Sequence, residues 1–323
     1  MSEYKLLSAR ECAHRLLGLS EVAILIHKNP DGDAVGSAAA LCELLTQLGA
    51  KPYILSPDKI PDRLRFILSY TGATVLDKAI SDSSISIDTA SPSQLGSLYH
   101  TAPKPKLMID HHEMGTQYAD GYIVKGAASA SEALFDVVEV LMNEGRVKLT
   151  DKLAYALYAA TSSDTGCFAY SNASARTHAL AAKLISVGID TADINHRLFN
   201  SKSPEQIKAE GYVASVIRTA EGGRIGYATV TEKDIRSLGL MLEHFETAID
   251  VVRTLRGIEV ALMLKEVEPG AYKASMRSTG ANVAEICARF GGGGHVRAAG
   301  CTLRGGTIED AAALMISELR KII

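Results

Sequence analysis

Tryptophan is absent from the 323 residues, and the aromatic share reaches only 6%. An extended single strand of nucleic acid is held by stacking its bases on aromatic rings, so few platforms exist for one. A basic excess is missing too: 34 Lys and Arg stand against 37 Asp and Glu, for a formal net charge of −3. Long nucleic acid, gripped through many phosphate contacts, is therefore not expected as a partner. No apolar run approaches the ~20 residues of a membrane-spanning helix. The start, Met1-Ser2-Glu3-Tyr4-Lys5, lacks the apolar core of a secretory signal. No membrane contact is expected, and a cytoplasmic location is. Five dispersed cysteines (Cys12, Cys42, Cys167, Cys287, Cys301) form no C-x-x-C pair. That speaks against a disulfide framework and against a structural zinc site.

What is present is an alternation of strand-like and helix-like segments long enough for two domains. Strands are expected at 22–27, 51–55, 74–76, 84–87 and 106–109. Helices are expected at 8–18, 34–49, 62–70, 133–142, 151–161, 174–187 and 191–199. Ser129 and Glu132 fit a capping box. This alternation predicts an α/β fold with a doubly wound, mostly parallel sheet over residues 1–200. A connecting helix is expected at 201–222. A smaller, mixed α/β domain over 223–323 follows, with strands at 224–230, 258–267, 271–278 and 299–304 and a helix at 307–322.

The turn after the first strand reads His27-Lys28-Asn29-Pro30-Asp31-Gly32-Asp33-Ala34-Val35-Gly36. Asp31 or Asp33 alone could be a helix cap, a feature worth only ~1 kcal/mol. The pattern recurs, however. Asp88 follows the strand at 84–87, and Asp110-His111-His112 closes the strand at 106–109. Ligands bind beyond the carboxyl ends of strands in open α/β sheets. With Asp164, in the helix break Ser162-Ser163-Asp164-Thr165-Gly166, the candidate metal ligands are His27, Asp31, Asp33, Asp88, His111 and Asp164. Carboxylates with some imidazole suit Mn²⁺, Mg²⁺ or Fe²⁺ better than structural zinc. Six ligands exceed one mononuclear site and suffice for two divalent cations if one carboxylate bridges.

A second constellation is Phe290-Gly291-Gly292-Gly293-Gly294-His295-Val296-Arg297-Ala298-Ala299-Gly300. Each glycine costs ~0.5–1 kcal/mol of backbone entropy relative to Ala. The cost makes sense where backbone N–H groups approach an anion closely. Gly293, Gly294, His295 and Arg277 are the candidate substrate-binding residues, Arg277 through a phosphate.

These residues resemble the DHH phosphoesterases, named for the triplet found here at Asp110-His111-His112. The H-x-x-P-D-x-D-x-x-G pattern at His27–Gly36, Asp88 in Ser86-Ile87-Asp88-Thr89-Ala90, the triplet, and Asp164 in Ser163-Asp164-Thr165-Gly166 match four motifs in order. The glycine run resembles the signature of the associated C-terminal nucleotide-binding domain. The size and domain plan are similar to the stand-alone bacterial oligoribonuclease and 3′-phosphoadenosine 5′-phosphate (pAp) phosphatase branch. The resemblance implies two cations, Mn²⁺ foremost, one held by His27, Asp31 and Asp88. The other would be held by Asp33, Asp88, His111 and Asp164, with Asp88 bridging. It implies that Asp110 orients a liganding imidazole and that His112 faces the scissile phosphate. The substrates implied are short oligoribonucleotides or mononucleotides such as pAp, and a homodimer is compatible with this plan. A cyclic or linear dinucleotide phosphodiesterase shares every motif; a RecJ-type exonuclease or a non-catalytic nucleotide sensor fits less well. One departure stands out: Gln94 occupies a place where many relatives are expected to carry arginine.

Overall fold

The structure, a computed structural model, describes residues 4–323 apart from the side chain of His295. The chain divides into two compact units, Met1–Ser201 and Lys202–Ile323.

The first unit runs α1 (Ala9–Leu16), β1 (Glu21–Leu25), α2 (Gly32–Gln47), β2 (Lys51–Leu55), α3 (Arg65–Thr71), β3 (Ser84–Ile87), α4 (Leu98–Thr101) and β4 (Leu107–Asp110). It continues through β5 (Asp120–Ile123), α5 (Ala130–Asn143), α6 (Asp151–Asp164), α7 (Ala175–Ile185) and α8 (Thr191–Asn195). Its five strands are all parallel, in the order β2-β1-β3-β4-β5. Buried parallel strands bury both faces, and β1 does so by alternation. Val22, Ile24 and Ile26 pack with Leu41, Leu134 and Leu157 from α2, α5 and α6. Ala23 and Leu25 pack on the other face with Tyr53, Leu95 and Leu98. Among the described residues, that second face is covered by the one-turn α4, a 3₁₀ turn at Pro92–Leu95 and loops.

The strand order places the site. From β1 the chain crosses to β2 on one side and returns to β3 on the other, so the direction of winding reverses between β1 and β3. A crevice opens at the carboxyl ends of two strands flanking such a reversal. Gly36 serves the helix layer behind that crevice. A Cβ there would stand 2.8 Å from the Ala160 Cβ and 2.9 Å from the Ala156 carbonyl, so only glycine lets α2 lie this close to α6.

Several sequence expectations are corrected. Residues 74–76 contribute one bridge, Val75 to Ile54, rather than a strand. α6 does not break at Ser162 but continues through Asp164. The Ser129–Glu132 capping box is half-formed: Ser129 caps the Glu132 N–H, while Glu132 Oε2 accepts the Ala128 N–H instead. β5 went unforeseen because it is only four residues long and largely half-exposed. The expected helix over 191–199 changes to a π-turn at His196–Asn200.

The second unit contains α9 (Pro204–Val216), β6 (Arg218–Ala220), β7 (Ile225–Val230), α10 (Glu232–Ser237), α11 (Ile249–Arg253) and β8 (Val260–Glu268). It ends with β9 (Ala271–Ser278), α12 (Val283–Arg289), β10 (Gly293–His295), β11 (Ala298–Arg304) and α13 (Ile308–Leu319). The sheet order is β10-β11-β9-β8-β7-β6, antiparallel except for the β7–β8 pair. The connecting helix ends at Val216, where the chain turns into β6. Ala209 and Val213 of α9 are fully buried with Val230, Phe245 and Val252.

One buried charge stands out in this unit. Lys265 on β8 is 6% exposed, and its Nζ donates to the Phe245 carbonyl at 3.3 Å. Burial, together with the cross-strand Lys273, pulls it from its ordinary value near 10.5 down to about 8. The unfolded chain therefore holds more protons than the folded one between these values, and stability rises with pH through that window. Lys265→Met should stabilise the protein by on the order of 1–3 kcal/mol near neutral pH. The advantage should shrink as pH rises toward about 10. Urea unfolding of both proteins at the two pH values measures this; a gap independent of pH would refute it.

Candidate metal centre

The crevice is furnished by the strand ends. Just past β1, the His27 ring donates Nδ1–H to the Lys28 carbonyl at 2.8 Å. That bond fixes the tautomer, so in the neutral ring Nε2 carries the lone pair. Nε2 faces Asp31 Oδ1 at 3.7 Å and Asp88 Oδ2 at 3.5 Å. Asp31 is the N-cap of α2, accepting from the Asp33 and Ala34 N–H groups at 3.1 and 3.0 Å. The modest reading of this aspartate is therefore true as well: one carboxylate caps the helix and borders the site.

Asp33 points inward and is 1% exposed. It accepts from the Ser37 hydroxyl at 2.7 Å and from the Ala130 and Ser131 N–H groups at 2.6 and 3.3 Å. The amino end of α5 is thus aimed at a buried carboxylate, where the helix dipole favours negative charge.

Asp88 sits directly after β3 in the left-handed region, with φ 53°. Its N–H donates to the Ile109 carbonyl at 3.0 Å, tying the turn to β4. Such a backbone is uncommon for a residue with a side chain. Here it accompanies a carboxylate set between two rings: Oδ2 is 3.5 Å from His27 Nε2, and Oδ1 is 3.5 Å from His111 Nε2. His111 repeats the tautomer logic of His27. Its Nδ1–H goes to the Ala127 carbonyl at 3.0 Å. Its Nε2 faces Asp33 at 3.6 Å and Asp164, at the end of α6, at 3.7 Å.

Two groups of potential ligands result, His27-Asp31-Asp88 and Asp33-His111-Asp164, with the donor atoms of each within 4.8 Å of one another. A third grouping adds His112 to Asp88 and His111. The His112 Nδ1, however, is 2.7 Å from Asp110 Oδ1 and 3.7 Å from Asp88. Asp110 thus lies against the His112 ring, while the His111 ring donates to a backbone carbonyl.

The chemistry of this cluster fits divalent cations. Separations of 3.5–3.7 Å exceed hydrogen bonds. They suit donor atoms that share an ion through bonds of ~2.1 Å. Among the described residues, every ion pair of Asp33, Asp88 and Asp164 is with an imidazole. Burial and the Asp88 and Asp164 carboxylates hold Asp33 well above the usual range. Burial, opposed by His111 and reinforced by Asp31 and Asp88, pushes Asp164 up to about 7. Burial also works against ionised Asp88, but the two imidazoles overcome it and hold it well below the usual range. Cations would relieve the same crowding of negative charge.

In the second unit the glycine run forms an arm of a hairpin, Gly293–His295 against Ala298–Gly300. Strand pairing explains two of the glycines. A Cβ on Gly292 would lie 2.2 Å from the Gly300 carbonyl, and one on Gly294 (φ 142°) 2.4 Å from the Ala298 carbonyl. Gly293 meets nothing within 4 Å, so packing does not explain it. The backbones of His295, Ala298 and Arg277 share one rung of the sheet. Arg277 Nη1 donates to the Met276 carbonyl at 3.0 Å. The expected role of His295 rests on its side chain, which lies outside the described residues.

A family model, the DHH family N-terminal domain, matches residues 21–161, and the DHHA1 domain matches residues 243–321. The chain thus carries a DHH domain followed by a DHHA1 domain. All six candidate ligands except Asp164 lie within the matched DHH domain, and the glycine hairpin lies within the DHHA1 domain. The chain is 27% identical to the bifunctional oligoribonuclease and PAP phosphatase of Thermus thermophilus, over 93% of this chain and 89% of that one. It is 24% identical to the Bacillus subtilis protein of the same description, over 90% and 91%. An exopolyphosphatase-related protein from Bacteroides fragilis shares the fold, with a TM-score of 0.85 at 21% identity, covering 97% of this chain and 96% of that one. No helix among the described residues is long and apolar enough to cross a membrane.

Sequence reasoning missed the groups that aim the ligands: Ser37, the Ala127 carbonyl and the first N–H groups of α5. Ser37 left a trace, standing four residues beyond Asp33 and so one helical turn along. The backbone groups left none.

Cation uptake should release protons. Burial disfavours a proton on His27, yet Asp31 and Asp88 outweigh it and push the ring up to about 12. His111 is likewise held well above its ordinary value, with Asp88 and Asp33 overcoming burial. A liganding imidazole must give up its Nε2 proton, so affinity should climb by about a decade per pH unit for each proton released. Titration calorimetry in buffers of differing ionisation enthalpy counts those protons; a count of zero would mean that the rings are already neutral in the empty site and would contradict the prediction.

Proposed function

We propose that this chain is a two-cation phosphoesterase, working with Mn²⁺, that hydrolyses short oligoribonucleotides and pAp. The observation that carries this reading is Asp88: each carboxylate oxygen faces a different imidazole, at 3.5 Å in both cases. Such a carboxylate suits a bridge between a His27-Asp31 side and an Asp33-His111-Asp164 side. The donor set is oxygen-rich, with two imidazoles and no thiolate, which suits Mn²⁺ or Mg²⁺. Bound there, two such cations supply positive charge for phosphoryl oxygens and an acidified water.

The chain's own residues do the rest. His27 and His111 commit their Nδ1 protons to backbone carbonyls and turn Nε2 inward. Burial disfavours a second proton on His112, but Asp110 beneath it and Asp88 raise the ring above its ordinary value. A His112 imidazolium is then a donor for charge developing on a phosphoryl oxygen. The Asp110 carboxylate keeps that ring oriented, a positioning task that needs no contact with substrate. Gly293 and Arg277, in the DHHA1 domain, are assigned to the nucleotide.

The relatives' described activities support short nucleotides as the substrate class. A second reading is a cyclic dinucleotide phosphodiesterase. The chain is 27% identical to the cyclic-di-AMP phosphodiesterase of Geobacillus thermodenitrificans, but spans only 48% of that protein.

A side-by-side assay with Mn²⁺ should show turnover of pAp and linear dinucleotides, lost in chelator; turnover confined to cyclic di-AMP or pyrophosphate would overturn the assignment. Asp88→Ala should lower turnover by about 10³-fold or more and weaken both cation sites together. Near-normal activity, or loss of one cation only, would remove the bridge. Gly293→Ala should fold and bind cations normally while raising KM; an unchanged KM would free Gly293 of its substrate role.

A further inference from the structure

Gln94 lies in the 3₁₀ turn at Pro92–Leu95, anchored by the buried Leu95 under the sheet's thinly covered face. It makes two bonds to two different ligand-bearing turns. Its backbone carbonyl accepts the Lys28 N–H at 2.7 Å. Lys28 is the residue whose own carbonyl takes the Nδ1–H of His27. Its side-chain Oε1 accepts the Ala90 N–H at 2.6 Å, two residues beyond Asp88. A backbone N–H needs an acceptor, so the amide's orientation follows from this bond. The Ala90 carbonyl in turn accepts from the Thr116 N–H at 2.8 Å, on the segment that follows the Asp110-His111-His112 triplet. Gly115 is required there, since a Cβ would lie 2.5 Å from that carbonyl. Three ligand-bearing segments are thus sutured at one point.

We propose that Gln94 is a positioning residue for the metal centre, its side-chain carbonyl holding the Asp88 turn against the His27 turn. The proposal rests on the reading of the cluster as a cation site. Its physical basis is the left-handed backbone at Asp88, a conformation that persists only where its surroundings enforce it. Ala90 is 6% exposed, so its N–H has little access to water once its acceptor is gone. The turn can relieve that loss only by moving, and Asp88 moves with it. Arginine or lysine at this place offers donors alone and could not accept the bond; glutamate could. The backbone bond to Lys28 survives any substitution, which isolates the side chain's part.

The test compares wild type, Gln94→Met and Gln94→Glu, using Mn²⁺ titration calorimetry on protein stripped with chelator. Hydrogen exchange at Ala90 is followed in the same metal-free proteins. Q94M should bind Mn²⁺ about 10-fold more weakly, the scale of losing an outer-shell support. Its Ala90 N–H should exchange at least about 10-fold faster, the melting temperature staying within a few degrees. Q94E should keep both properties within about threefold of wild type. If Q94M fails to fold, Gln94→Thr, which lacks the reach, repeats the comparison. Wild-type Mn²⁺ affinity and Ala90 protection in Q94M would overturn the proposal, as would equal losses in Q94M and Q94E. A wild-type chain that binds no Mn²⁺ would instead sink the cation reading, while the exchange measurement would still decide the Gln94–Ala90 bond.

Discussion

The first unit is organised around negative charge placed where water cannot screen it. Asp33 and Asp88 are almost wholly buried and Asp164 is mostly so, all close to the same His111 nitrogen. Carboxylates so placed repel one another and resist ionising. Three devices hold them: the amino end of α5 at Asp33, two imidazoles around Asp88, and the hydrogen bonds that fix those imidazoles. Each device is a compensation that a cation would complete. The same arrangement that is costly without an ion creates affinity for one.

Rigid parallel strands make this concentration possible. β1, β3 and β4 are neighbours in one sheet, so residues just beyond their ends are brought together whatever their distance in sequence. The reversal of winding between β1 and β3 leaves room there for the groups to meet. Helices contribute from behind: α2 brings Asp33, α6 brings Asp164, and the close approach at Gly36 keeps those two helices in step. Loops then make the final adjustment, with the Asp88 turn caught between Gln94 and the segment after the triplet.

Much of this could be read from the residues. Residues 22–26 are a continuous apolar run, and His27, Asp88 and His111 each stand just past a strand's end, so both strand and candidate ligand were visible. The capping role of Asp31 was visible as well, and it coexists with the site. Harder to read were features whose information is not local. β5 is a short strand that exists because β4 and the Leu6 segment lie alongside it. α6 continues through Ser162, Ser163 and Asp164 because its neighbours hold it, against the weak helix preference of those residues. Glu132 leaves its capping box for the Ala128 N–H, a choice made by the packed turn rather than by the S-x-x-E spacing. In the glycine run, Gly292 and Gly294 lie close against the backbone of β11 in the same hairpin, a pairing that residue type alone does not reveal.

The sequence alone determined which side chains could serve as ligands and in what order the strands would deliver them, because residue type and apolar periodicity are local properties. It also determined the balance of 37 acids against 34 bases. Only the tertiary structure decided that the two oxygens of Asp88 face different imidazoles, that Asp110 lies against His112, and that Gln94 links two turns. Those are matters of direction at ångström scale. Direction is set by backbone carbonyls, helix ends and packed neighbours, none of which is written beside the residue it aims.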